Sequence, residues 1–76
     1  MDELLVWIAR ELVDDREQVR VERVVRDDTV VLRLHVASDD IGKVIGRQGR
    51  MARALRALVR TASARSDTRM LLEIVE

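Results

Sequence analysis

The sequence predicts an α+β sandwich, a single small domain with three helices on one face of a three-stranded sheet, in the order α-β-β-α-α-β. Three observations carry that prediction. Residues 29–36 alternate, with Val30, Leu32, Leu34 and Val36 on one face and Thr29, Val31, Arg33 and His35 on the other. Met51, Leu55, Leu58, Val59 and Ala62 recur at helical spacing. Between these two segments, Gly46-Arg47-Gln48-Gly49 interrupts a second helical pattern, so two helices precede the last strand.

The elements follow in order. Residues 2–14 read as a helix: Leu4, Leu5, Ile8, Leu12 and Val13 form its stripe, Asp2 and Glu3 suit its first turn, and Asp14-Asp15 ends it. Trp7 falls off that stripe, between Arg10 and Glu11, which marks it as an interface anchor or a lid over its own domain's edge. Residues 18–25 read as a strand, and Arg26-Asp27-Asp28 as a tight connection to the strand at 29–36, giving an antiparallel hairpin. Ser38-Asp39-Asp40 is an N-cap cluster for a short helix over 39–45. A longer helix runs over 48–63, with Arg53, Arg56 and Arg60 together on the side away from its apolar stripe. Ser63 to Asp67 is a polar loop, and residues 69–75 form the last strand, parallel to the second because a helical crossover separates them.

Composition narrows the function classes. The 76 residues suffice for one domain whose core must be aliphatic, since Trp7 is the only aromatic. With no Cys, one His and three Ser, no disulfide, thiolate metal site or catalytic triad is expected, and the single His35 reads as an outward sheet residue. The acidic pairs Asp14-Asp15, Asp27-Asp28 and Asp39-Asp40 read as caps and turns, not catalytic carboxylates. No apolar stretch is long enough to span a bilayer, and Asp2 and Glu3 occupy the place of a signal peptide's basic segment, so a cytoplasmic location is the default expectation.

The net charge is zero, yet its distribution is uneven. Residues 1–40 hold eleven acids and six bases, whereas residues 41–66 hold seven bases and no acid. A polyanion responds to the local patch and not to the sum. The centre of that patch is Ile41-Gly42-Lys43-Val44-Ile45-Gly46-Arg47-Gln48-Gly49-Arg50. Two glycines bracket the tip Arg47-Gln48, where positive φ and close backbone approach are at no steric cost. The helix that follows offers free N–H groups, and Lys43, Arg47, Arg50 and Arg53 add full charges. Ile41, Val44 and Ile45 could floor the bases, although some of them must also pack the core. Neither a dinucleotide fingerprint nor a P-loop has this glycine spacing, and no cofactor is expected.

This segment resembles the GxxG signature of KH domains, which clamps about four nucleotides of a single strand. With Ala52, Arg53, Ala54, Leu55 and Arg56 after it, the string resembles the small bacterial KhpA family over nearly the whole chain. The resemblance implies the type II KH fold and Ile41 to Arg50 plus Arg53 as RNA-binding residues. It also implies a non-enzymatic RNA chaperone or post-transcriptional regulator. Further implications are a KhpB-like KH partner, a possible homodimer, and links to cell-wall homeostasis and cell elongation. Relatives often carry a proline near residue 15, whereas this chain has none. Ala52 stands where many KH domains have a large aliphatic. The absence of Phe and Tyr predicts weak base stacking and little sequence preference. The competing reading is a protein-interaction module on a degenerate KH fold, using Trp7 and the sheet edges.

Overall fold

A computed structural model describes residues 1–76. Helix α1 spans Asp2–Leu12, strands β1 and β2 span Arg20–Arg26 and Thr29–His35, helix α2 spans Ile41–Ile45, helix α3 spans Arg50–Ala64, and strand β3 spans Arg69–Ile74. The sheet order is β1-β2-β3, with β1 antiparallel and β3 parallel to the central strand. This is the element order and strand polarity read from the sequence, and it is that of a type II KH fold.

Differences fall at the boundaries. Helix α1 stops at Leu12, two residues early, and a 3-10 turn at Arg16–Gln18 takes the place of the first strand's expected start. The N-cap expected of Ser38-Asp39-Asp40 is absent: these residues form a 3-10 turn of their own, and no side chain caps either that turn or α2. The reason is conformational. Asp40 is already in the helical region, at φ −101° and ψ −5°, whereas a capping side chain needs an extended backbone to reach forward.

The helix-facing side of the sheet carries Val21, Val30, Leu32, Leu34, Met70, Leu72 and Ile74. Leu5, Ala9 and Val13 enter from α1 and its exit, Val44 from α2, and Ala52, Leu55 and Val59 from α3. Leu4, expected in the α1 stripe, is 42% exposed. At about 100° per residue it lies about a quarter-turn from Leu5, while Ala9 falls back over Leu5 and takes the buried place. Trp7, about half a turn away from Leu5, is 61% exposed.

The opposite sheet face has no helices. There Glu22, Arg33 and Glu73 share one cross-strand row, with Arg33 bonded to Glu22 at 3.3 Å and to Glu73 at 3.0 Å, and His35 meets Glu22 at 3.1 Å. The Glu22 carboxyl is held below its ordinary value, chiefly by the His35 hydrogen bond and then by the Arg33 charge. No helix is long and apolar enough to cross a membrane.

Candidate nucleic-acid interface

The glycine turn joins α2 to α3. Gly46 ends α2 at φ 77° and donates its N–H to the Gly42 carbonyl at 2.8 Å. Gln48 sits at φ 56° and Gly49 at φ 74°, and the Gly49 N–H donates to the Gly46 carbonyl at 3.1 Å. Three of four residues thus have positive φ, Gln48 and Gly49 in the left-handed helical region and Gly46 with an extended ψ of 173°. Only glycine does so freely; at Gln48 the conformation costs about 1–2 kcal/mol. Such stored strain is typical of ligand-contacting loops.

Gly46 is required for a second reason. A Cβ there would lie 2.7 Å from the Met51 Cβ and 2.9 Å from its amide nitrogen. The first turn of α3 therefore folds back onto the loop. A Cβ at Gly42, by contrast, meets nothing within 4 Å, so Gly42 presents bare, open backbone. Arg47, Gln48 and Arg50 are exposed, and Arg50 donates to the Gln48 side-chain oxygen at 3.4 Å. The Arg50 N–H donates to the Arg47 carbonyl, but no side chain caps the start of α3, which leaves its positive dipole end for an external anion.

Beyond the turn, Arg53, Arg56 and Arg60 line up on the exposed side of α3. None of the arginines from Arg47 to Arg65 forms an ion pair. Arg56 and Arg60 overhang a slot of about 160 Å³ between α3 and edge strand β3, walled by Val59, Met70, Leu71 and Leu72. Leu71 is 56% exposed, and the outer backbone edge of β3 pairs with no strand. Guanidinium groups, an apolar wall and free backbone groups suit the phosphate, face and edge of a nucleotide. The sequence placed these arginines together but did not show the slot between them and the edge strand.

Other expected site residues have different surroundings. Val44 is 0% exposed and belongs to the core, so its side chain offers no floor to a base. Ile41 and Ile45 are half-buried beside it. Lys43 points away from the turn: its ammonium donates to the carboxylate of Asp14, and to Asp40 Oδ1 at 3.0 Å. These bonds, Asp14's first and then Asp40's, raise its pKa above the ordinary lysine value.

Asp40 is 2% exposed. It also accepts the backbone N–H groups of Asp14 at 3.3 Å and Asp15 at 3.0 Å. The Asp15 amide first, and then Lys43, hold its carboxyl below the ordinary range. The opposite charges at positions 40 and 43, one helical turn apart, were the available sequence signal for the Asp40–Lys43 pair alone, not for the bonds to Asp14 and Asp15.

The largest hollow, about 340 Å³, lies elsewhere, between α1 and β1, lined by Asp2, Glu3, Val6, Trp7, Arg10 and Val21. A single strand is an extended ligand held along a surface, so the arginine-bearing face is the better match to it.

Comparison with known proteins finds relatives over nearly the whole chain. The family model described as the KhpA/KhpB KH domain matches residues 2–74. A Treponema pallidum protein named RNA-binding protein KhpA is 47% identical over 75 residues, covering 99% of this chain and 94% of its own. A Clostridium acetobutylicum protein of the same name is 41% identical over 99% of this chain and 100% of its own. An Aquifex aeolicus namesake is 41% identical over the full chain and 96% of its own. No solved structure matches.

Proposed function

The chain belongs to the KhpA/KhpB KH-domain family, and we propose that it is a non-enzymatic protein that binds single-stranded RNA through the glycine turn and the arginine face of α3. One observation carries this reading: arginines with no acidic partner line one continuous stretch from a strained, uncapped turn to an open strand edge. The turn takes a phosphate on the N–H groups of α3, and Arg47, Arg50 and Arg53 hold the neighbouring ones. Arg56, Arg60 and the slot beside β3 receive a base. Without Phe or Tyr to stack on, affinity is modest and sequence preference low.

In the cell this activity is that of an RNA chaperone or post-transcriptional regulator in the cytoplasm, paired with a KhpB-like KH protein or a second copy of itself. The link to cell-wall homeostasis and elongation belongs to the same reading. The exposed Trp7 favours an association surface on α1. Sedimentation at micromolar concentration tests association, and Trp7→Ala tests the anchor. A wild type that stays monomeric and binds no KH partner refutes the pairing.

RNA binding itself is tested by titrating a short single strand and a duplex across a range of salt. With ~2–4 phosphates neutralised, log K should fall against log salt with a slope of roughly −1.5 to −3. Single strands should bind more tightly than duplex. A flat salt response, or preference for duplex, contradicts the proposal.

A further inference from the structure

We infer that Asp40 is a positioning residue for the glycine turn, acting through a clasp that fastens α2 to the exit of α1; its consequence for RNA rests on the function proposed above. Helix α2 has five residues, too few to be stable alone. Its direction, and with it the place of Gly46, must come from outside. Val44, sunk in the core, and its neighbour Ile45, packed against the same cluster, anchor its C-terminal end. A short helix held only at that end can still swing about it.

Asp40 supplies the second anchor, immediately before Ile41. Its Oδ1 accepts the Asp14 N–H and the Lys43 ammonium, and its Oδ2 accepts the Asp15 N–H. Lys43 also reaches Asp14, so the two segments are joined by side chains in both directions. An apolar residue at position 40 would avoid the cost of burying a charge, but it would leave the two amides of this proline-free corner without that acceptor. No buried side-chain polar atom in the protein lacks a partner, so the clasp is complete. On the far side of the turn, Met51 packs against Gly46 too closely to admit a Cβ. The loop is thereby gripped from both ends, which suits a phosphate clamp whose geometry must exist before the ligand arrives.

The test is Asp40→Asn, which keeps the shape but removes the charge and one acceptor oxygen. Its circular dichroism should remain native. Amide exchange at residues 46–50 should accelerate about tenfold as the loop opens locally, while β2 keeps its protection. Affinity for a short single-stranded RNA should fall about five- to tenfold. Ile8→Ala serves as the control. Ile8 is half-buried on α1, packed against the Leu5–Leu55 part of the core. It should lower Tm with neither loop exchange nor RNA affinity changed.

Wild-type exchange and affinity in Asp40→Asn overturn the inference. So do changes that Ile8→Ala reproduces at equal loss of Tm. Should Asp40→Asn fail to fold, Lys43→Gln leaves both backbone bonds in place and breaks only the tie. Faster exchange confined to residues 46–50 then supports the clasp, and unchanged exchange refutes it. A wild type that ignores RNA defeats the proposed function, while the exchange comparison still decides the positioning role.

Discussion

The two flanks of the glycine turn carry the same kind of charge and use it differently. On the α2 side the one basic residue, Lys43, is consumed by Asp14 and Asp40. On the α3 side Arg50, Arg53, Arg56 and Arg60 have no carboxylate partner. The α2 flank also carries Asp39 and Asp15 on its surface, so it is neutral to acidic where the α3 flank is uniformly basic. The difference teaches that charge type does not mark a polyanion contact; the absence of a competing internal partner does. Under the function proposed here, the same asymmetry would run a bound strand away from the turn along α3 and not across α2.

The strongest way to break this comparison is to reverse the charge on the basic flank. Arg53→Glu with Arg56→Glu should weaken single-strand binding about a hundredfold, as two charge-assisted contacts become repulsive. It should also flatten the salt slope by roughly 0.7 per lost phosphate contact. Electrophoretic or fluorescence titration at several salt concentrations reads both.

Gly46→Ala comes next. It forces a Cβ into Met51 at a positive φ, and the combined strain should cost about 2–4 kcal/mol of stability by denaturant unfolding. On the α2 flank, Lys43→Gln should lower Tm yet leave the salt slope of RNA binding unchanged. A slope that falls as it does for an α3 arginine would show that Lys43 leaves its acids for phosphate.

Acid sharpens the same contrast. Asp40 is depressed in the folded state below its ordinary value of 3.8. Its contribution is therefore complete above that value and is lost as pH falls through the lower folded one. Stability should decline below pH 3.8, and Asp40→Asn should make the decline shallower. The Asp2 carboxyl, lowered mainly by its hydrogen bond from Arg23, and the Glu22 carboxyl, lowered chiefly by His35 from its ordinary 4.5, lose their contributions in the same acid range, so the Asp40→Asn effect is partial. The smallest expected effect is Gly42→Ala. Its Cβ enters open space, so stability should rise by about 0.5–1 kcal/mol. A simultaneous loss of RNA affinity would place the strand against that bare backbone.

How much of this was legible in the sequence follows from the range of each interaction. The alternation at Thr29–His35 and the stripe on α3 report burial on one face, a property written residue by residue, and both held except at Val31, which is buried on the helix-free face of the sheet. The glycine turn was legible because the positive φ at Gly46 and Gly49 is a local demand. The Asp40 clasp was not, because it joins residues 25 and 26 positions apart and local rules assign the same aspartate to a cap. Val44 failed as a base floor for a related reason: the five residues of α2 have too few apolar side chains to serve both the core and a ligand. The slot beside β3 depends on how α3 lies across that edge strand, and only the assembled domain decides that.

The central claim is that the tip of the turn touches RNA without holding up the fold. Replacing Arg47 and Gln48 together with Asp, and titrating the variant with a short single-stranded RNA, tests it most directly. Both side chains are exposed and neither packs in the core. The account predicts a native circular dichroism spectrum with binding reduced to near background. Undiminished affinity in a folded variant would contradict it.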